Sequence, residues 1–92
     1  MRMPYVGFTR HLQTFFPTLA EGNVPGATVR EVVDELERRH PGFASYIVDE
    51  TGRLRRHVNI FVGDEPIRDR DRLGDALAPD DKVMILQALS GG

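Results

Sequence analysis

The chain has no cysteine among its 92 residues, and this absence removes several kinds of chemistry at once. Without cysteine there can be no disulfide, no thiolate zinc site and no cysteine nucleophile. The three histidines, His11, His40 and His57, do not have the spacing of metal ligands. The sequence therefore predicts neither a metal site nor a bound cofactor.

Long apolar runs and an excess of one charge are also missing. No stretch of about 18 apolar residues occurs, and no signal-peptide pattern follows Met1, so we expect neither a transmembrane helix nor secretion. With 12 basic and 14 acidic side chains, the formal net charge is −2. Such a balance gives no bias toward nucleic acid or membrane partners. We expect a cytoplasmic protein.

The residues that are present fit one small domain, whose first third is rich in β-favouring types. The stretch from Tyr5 to Arg10 predicts a strand. We expect the second strand of a hairpin between Phe16 and Val24, although glycines and a proline interrupt that stretch. Leu12, Phe15 and Phe16 form an apolar cluster between the two strands.

One helix is clearly marked in the sequence. Thr28 followed by Glu31 has the spacing of a capping box, so we expect the helix to begin there. It should end before Pro41-Gly42. The apolar positions of this segment recur at helical spacing and predict one stripe facing a sheet; they are Val29, Val32, Val33 and Leu36.

The second half alternates between strands and turns. We expect Phe43, Tyr46 and Ile47 to form an apolar cap over the sheet edge, Ile67 to form a brief strand, and a helical turn to lie around Leu73, Ala76 and Leu77. Strict alternation from His57 to Val62, and an apolar run from Val83 to Leu89, predict two longer strands.

Alternation on those two strands leaves large apolar side chains on the face opposite the core. If Val58, Ile60 and Val62 meet the helix, Phe61 points away from it. On the last strand, Met84 and Leu86 point the same way as Phe61 if the two strands are neighbours. The sequence predicts an apolar patch on the open face of the sheet, suited to a protein partner.

The chain closes on Ser90-Gly91-Gly92. Two consecutive glycines stabilise no fold, but they give a narrow partner site access to the terminal carboxylate. A frayed terminus or a cloning remnant is the alternative explanation. We expect a domain over residues 1–89 and a flexible tail over residues 90–92.

The order hairpin, helix, central strand, short strand, last strand and Gly-Gly resembles a ubiquitin-like sulfur carrier. The motifs that carry the resemblance are His57-Val58-Asn59-Ile60-Phe61-Val62-Gly63-Asp64-Glu65-Pro66-Ile67, Pro79-Asp80-Asp81-Lys82-Val83-Met84-Ile85-Leu86 and the tail. They are similar to the molybdopterin synthase small subunit, the thiamine sulfur carrier and, most of all, the carrier that feeds sulfur into cysteine in some bacteria. The resemblance implies an α+β, β-grasp fold, with a mixed sheet of four to five strands on one main helix.

The resemblance also implies a function. An activating enzyme that uses ATP would adenylate the Gly92 carboxylate, and a sulfur donor would convert it to a thiocarboxylate. Gly91 would pass a constricted site and Ser90 would act as a spacer. The side chains expected to dock on this enzyme, and later on a sulfur-accepting biosynthetic enzyme, are Phe61, Met84, Leu86 and Leu89. The free protein should be a monomer.

Two other functions share these features. A ubiquitin-like modifier would use the same activation of Gly92 and then join a lysine of another protein. A non-catalytic small subunit would keep its tail inside a larger synthase chain. Lys82, the sole lysine, limits self-conjugation to one site, which favours the carrier.

An independent enzyme is not predicted. The pairs Asp69/Asp71 and Asp80/Asp81 lie in turn-like segments without a nucleophile at a suggestive spacing, which is typical of surface charge. His57 is expected to be an exposed strand residue. No catalytic residue is assigned.

Overall fold

The computed structural model describes residues 3–87, in which five strands form one mixed sheet beside three helices. The strands lie in the order β2-β1-β5-β3-β4, with β1 and β5 parallel and the other neighbours antiparallel. This confirms the predicted α+β class and the mixed sheet. In chain order the elements are β1 (Tyr5–Phe8), α1 (Arg10–Phe15), β2 (Gly22–Asn23), α2 (Val29–Arg39), α3 (Phe43–Ile47), β3 (Val58–Val62), β4 (Glu65–Pro66) and β5 (Lys82–Gln87).

The core lies between the sheet and α2, as the apolar spacing predicts. All four predicted apolar positions of α2 are buried. Alternate residues of β1, β3 and β5 face them and are buried as well, because side chains along a strand point to opposite faces. These sheet residues are Val6, Phe8, Val58, Ile60, Val83 and Ile85.

The start of α2 is fixed by the predicted cap and by a distant loop. Thr28 Oγ1 accepts a hydrogen bond from the Glu31 backbone N–H at 3.2 Å. The Glu31 carboxylate reaches back to the N–H of Ala27 at 2.7 Å, one residue before the N-cap. The backbone carbonyl oxygens of Leu73 and Asp75 accept from the first N–H groups of the helix. These acceptors satisfy donors that a helix cannot satisfy by itself.

The contact with the start of α2 explains why the helical turn predicted around Leu73, Ala76 and Leu77 is wrong. The segment is extended enough to bridge to Thr28 through Ala76. Leu73 has a positive φ of 58°, which lies in the left-handed region. The periodic apolar spacing instead reflects burial of Leu73 and Leu77 beneath the loop.

The predicted N-terminal hairpin is correct in its pairing and wrong in its connection. β2 pairs antiparallel with β1 and falls within the expected stretch between Phe16 and Val24. However, β1 ends at Phe8, and α1 follows it at Arg10. The helix is favoured because Leu12 and Phe16, four residues apart, both pack on the core.

The remaining elements match the prediction with shifted bounds. Of the three residues expected to form an apolar cap, Phe43 and Ile47 are fully buried in α3 and belong to the core, and half-buried Tyr46 packs against it. The brief strand expected at Ile67 lies at β4, although Ile67 still donates its N–H to Ile60 at 2.9 Å. Within residues 3–87 no helix is long and apolar enough to cross a membrane.

Candidate partner-binding site

Phe61, Met84 and Leu86 lie together on the outer face of the sheet, which α2 does not cover. In the β3–β5 pair, Phe61 is directly opposite Met84, and Leu86 is opposite Asn59. All three apolar side chains are half-buried. Opposed residues in antiparallel strands have Cβ atoms about 5 Å apart, so the three form one continuous apolar surface. We call Phe61, Met84 and Leu86 the sheet-face patch.

Gly7 and Pro66 extend this patch across the sheet. Gly7 lies beside Met84 in the parallel β1–β5 pair, and Pro66 lies beside Phe61 in the β3–β4 pair. A Cβ on Gly7 would come within 2.7 Å of Met84 Sδ. The missing side chain at Gly7 therefore leaves space that Met84 fills.

Polar residues border the patch on both sides. The Tyr5 hydroxyl donates to Glu21 Oε1 at 3.2 Å, and this hydrogen bond raises the pKa of Tyr5. On the other side, an Arg70 guanidinium N–H donates to Asn59 Oδ1 at 3.4 Å. Exposed Lys82 begins β5 opposite Tyr5. An apolar centre with a polar border is the composition typical of protein interfaces.

The predicted tail residues lie outside the described part of the chain. These are Leu89, Ser90, Gly91 and Gly92. The last described residue, Gln87, is opposite Val58 at the start of β3. The described chain therefore stops at the end of the sheet where β1 finishes and β3 begins.

An aromatic group at this end of the sheet was not recognised from the sequence as a surface feature. The Phe15 ring of α1 lies 5.0 Å from the Tyr46 ring of α3 and 5.1 Å from His11. Phe15 is 47% exposed, the largest exposure of a large apolar side chain in residues 3–87. The spacing of Leu12, Phe15 and Phe16 did not reveal this exposure, because residues at i, i+3 and i+4 share one face of a helix.

One member of each acidic pair accepts hydrogen bonds from nearby backbone N–H groups. Asp69 accepts hydrogen bonds from the backbone N–H groups of Asp71, Arg72 and Gly74. These bonds, led by that of Arg72, lower the pKa of Asp69. Asp81 accepts from the Ala78 N–H at 2.7 Å. Across residues 3–87, no group of acidic or histidine side chains could hold a metal ion.

Comparison with known sequences points to one family. The model of the ThiS family matches residues 12–92. The sulfur carrier protein CysO of Mycobacterium tuberculosis is 39% identical over 69 residues, covering 73% of this chain and 74% of that protein. Small archaeal modifier protein 1 of Haloferax volcanii is 32% identical over 66 residues, covering 72% of this chain and 71% of that protein.

Comparison with solved structures confirms the ubiquitin-like β-grasp fold. A chain of the BexX/CysO complex of Amycolatopsis orientalis matches with a TM-score of 0.82 and 32% identity. The match covers 97% of this chain and 99% of that chain. In that structure, a protein similar to this chain is part of a complex with a partner protein.

Proposed function

This chain belongs to the ThiS family, and on that basis we propose that it carries sulfur on its C-terminal glycine. In this proposal the Gly92 carboxylate is the reacting group, Gly91 and Ser90 carry it into partner active sites, and the folded domain is the part that partners bind. The domain supplies no catalytic residue. Because the activation consumes ATP, we place the reaction in the cytoplasm.

The proposed chemistry has two steps on an activating enzyme. A Gly92 carboxylate oxygen attacks the α-phosphate of ATP, and pyrophosphate leaves to give an acyl adenylate. A sulfur nucleophile at the oxidation level of hydrosulfide then attacks the acyl carbon. AMP leaves with one of the original carboxylate oxygens, and sulfur takes the place of that oxygen. The resulting thiocarboxylate holds a nucleophilic sulfur in a protein that has no cysteine.

The observation that carries this proposal is the sheet-face patch. Phe61 and Met84 are directly opposed on a face that no helix of residues 3–87 covers, and the described part of β5, which bears Met84 and Leu86, ends at Gln87, five residues before Gly92. Partner enzymes that bind this face would receive the Gly92 carboxylate at a limited distance from it. The use of one face by the activating and the sulfur-accepting enzyme makes their complexes sequential.

The first test is the intact mass of the protein. It is measured before and after incubation with ATP, a sulfide source and the adenylating enzyme from the same organism. We expect a mass gain equal to replacement of one oxygen by sulfur. A chain ending at Ser90 is the control and should gain nothing. An unchanged mass in the full chain, with active enzyme and ATP consumption, would contradict the sulfur-carrier proposal.

A protein-modifier role is the second candidate, and the similarity to small archaeal modifier protein 1 favours it. Its activation step is the same, but the acyl adenylate is captured by a lysine amine. The same incubation, with lysates of the organism added, separates the two roles. A modifier would give larger covalent products that contain an isopeptide bond from Gly92, and a carrier would give only the thiocarboxylate.

The synthase-subunit role would be recognised by a different result. A larger protein would then co-purify with the chain in a fixed ratio in the absence of ATP. The carrier proposal instead predicts a monomer that binds its partners in turn. Sedimentation of the protein purified from its own organism distinguishes these outcomes.

A further inference from the structure

A second surface lies at the end of the sheet where the described chain stops. We name it the end surface, and its residues come from α1, from α3, from the segment before β3 and from the last position of β5: His11, Phe15, Tyr46, Arg55, His57 and Gln87. Tyr46 connects the aromatic side chains of α1 to the rest of this surface, because its ring contacts Phe15 and it also lines a shallow pocket with Arg55, His57 and Gln87. The end surface is separate from the sheet-face patch.

The aromatic half of this surface is more exposed than the sheet-face patch. Phe15 is 47% exposed, whereas Phe61, Met84 and Leu86 are all half-buried. A ring held against two neighbours but open on its outer side is preorganised for contact, because few side-chain rotamers remain to be fixed on binding. Large aromatic residues of this kind are common binding anchors.

The other half is cationic and lacks carboxylate partners. Arg55 Nε donates to the Ser45 carbonyl at 2.9 Å, which holds its guanidinium in place. Arg56 and His57 follow it and are exposed, and exposed Arg10 begins α1. Among residues 3–87, none of these four side chains takes part in an ion pair. The charges of the three arginines are therefore available to a negatively charged partner.

Acidic side chains predominate at the opposite end of the sheet. Asp64 lies in the turn between β3 and β4, Glu65 begins β4, and Asp80 and Asp81 precede β5. Four carboxylates and Lys82 therefore lie at the far end of the sheet. A molecule of small net charge can still be oriented in the field of a partner when its charges are separated in this way. An acidic partner would meet the end surface first.

Two buried oxygens at this end have no hydrogen bond among the described residues. They are Thr9 Oγ1, between β1 and α1, and Gln87 Oε1. Buried polar atoms in folded proteins are nearly always paired, so unpaired ones call for an explanation. Both unpaired oxygens lie at the end of the sheet where the described chain stops.

We propose that the end surface docks on an acidic surface of the activating enzyme, with Phe15 inserted against an apolar side chain of that enzyme. This inference rests on the proposed function. The activating enzyme is the partner that both the carrier and the modifier role require. It must also receive the chain beyond Gln87, and the end surface borders that point. The sheet-face patch and the end surface then form two contacts on either side of the tail's origin.

The test measures association with the purified adenylating enzyme of the same organism. Arg56→Glu reverses an exposed charge that lies in sequence between Arg55 and His57, two residues of the end surface. Arg68→Glu, at the β4 edge of the sheet, makes the same charge change and is the matched control, because both side chains are exposed and unpaired in the described structure. At low salt, Arg56→Glu should associate with the enzyme about tenfold or more slowly than the unaltered chain does. Arg68→Glu should associate less than about twofold more slowly than the unaltered chain.

Salt and the aromatic anchor give two further readouts. At about 0.5 M salt the difference between Arg56→Glu and the unaltered chain should largely disappear, since surface charges are then screened. Phe15→Ala should raise Kd about tenfold through faster dissociation, because it removes a central apolar contact. Thermal unfolding of each variant establishes that the fold is intact.

The outcomes separate this inference from the proposed function. If the unaltered chain gains sulfur while Arg56→Glu and Phe15→Ala bind as it does, the end-surface inference is wrong and the carrier role stands. If the variants weaken only binding to a sulfur-accepting enzyme, or if Phe15→Ala abolishes self-association of this chain, the stated partner is wrong. Absence of binding by the unaltered chain would also overturn the inference. If the unaltered chain binds the enzyme normally but gains no sulfur, the end-surface inference stands and the carrier role is wrong.

Discussion

At the scale of single residues, Gly7 sets the shape of the sheet-face patch without contributing a side chain to it. An added Cβ would lie 2.7 Å from Met84 Sδ and 3.3 Å from Met84 Cε. Both atoms are at the far end of a flexible side chain, so Met84 can move aside at little cost in stability. The patch would then lose its flat outline.

Gly7→Ala is therefore expected to separate binding from stability. The free energy of unfolding in urea should change by less than about 1 kcal/mol, because the side chain moves and alanine restricts the unfolded chain. Affinity for the activating enzyme should fall, and methyl NMR signals of Met84 should shift. Gly22→Ala in β2 is the control, since nothing lies within 4 Å of its added Cβ. Equal affinities for the two variants would contradict the role given to Gly7.

Leu73 is a second residue whose importance depends on its backbone. It is fully buried, has a φ of 58°, and presents its carbonyl oxygen to the N–H of Arg30 at 2.8 Å. The backbone of any residue other than glycine is strained in this left-handed region, and that of a β-branched residue is strained more. Burial and the contact with α2 hold Leu73 there.

Replacement by valine tests this strain directly. Leu73→Val and Leu77→Val remove the same methylene group from buried sites, so the loss of apolar contact should be similar. Leu73→Val should lower the free energy of unfolding by about 1–2 kcal/mol more than Leu77→Val, because only Leu73 is in the left-handed region. Urea unfolding of both variants measures this difference. Equal losses would show that the backbone at Leu73 relaxes without cost.

At the scale of elements, the side chain of Glu37 near the end of α2 fixes the start of α3. Its carboxylate accepts from the N–H of Gly42 at 3.0 Å and of Ala44 at 2.8 Å. Both hydrogen bonds lower the pKa of Glu37, and the bond from Gly42 has the larger effect. A lowered folded-state pKa means that the stabilisation is complete above the unfolded-state pKa and is lost as the pH falls through the folded-state pKa.

Glu37→Gln should therefore lower stability in a pH-dependent way. At pH 7 the free energy of unfolding should fall by about 1 kcal/mol, because a charged acceptor is replaced by a neutral one. The difference from the unaltered chain should close as the pH falls through the lowered pKa of Glu37, because Glu37 then becomes protonated and loses its charge. Unfolding curves at several pH values measure it. Asp34→Asn, which removes an exposed carboxylate from the same helix, should show no such trend; a gap independent of pH would contradict the capping role.

The elements also show which parts of the fold are readable from sequence. α2 is predicted in full, because eleven residues give repeated apolar spacing and Thr28 marks the start. α1 has six residues, and one buried turn gives too little periodicity to distinguish it from a loop within a hairpin. The segment around Leu73 imitates helical spacing, and only its long-range bonds to α2 decide its extended form.

The features of the candidate site also differ in how far they can be predicted from the sequence. The outward direction of Phe61 and Met84 follows from the alternation of a strand, so the sheet-face patch is predictable residue by residue. Its register, with Phe61 opposite Met84, and its extension over Gly7 depend on which strands pair. The end surface joins residues from α1, α3 and β5, which are distant in sequence, so it becomes visible only in the folded chain.

At the scale of the whole molecule, the two proposed contact surfaces lie on different sides of the sheet. The sheet-face patch is on the outer face, and Phe15 packs against Tyr46 of α3 on the helical side. Phe61 and Met84 are directly opposed, whereas the ring neighbours of Phe15 are His11 of α1 and Tyr46 of α3. Energies of residues in contact are coupled, and those of separate residues add.

Double-mutant cycles on binding to the activating enzyme test this division. The pair Phe61→Ala and Met84→Ala should show a coupling energy of at least about 0.5 kcal/mol, because each side chain supports the other in one patch. The pair Phe61→Ala and Phe15→Ala should be additive within about 0.5 kcal/mol, since each contacts a different part of the enzyme. Calorimetric titration of the single and double variants provides the energies. Strong coupling between Phe61 and Phe15 would mean that the enzyme binds both through one rigid element, and the two surfaces would then have to be treated as a single site.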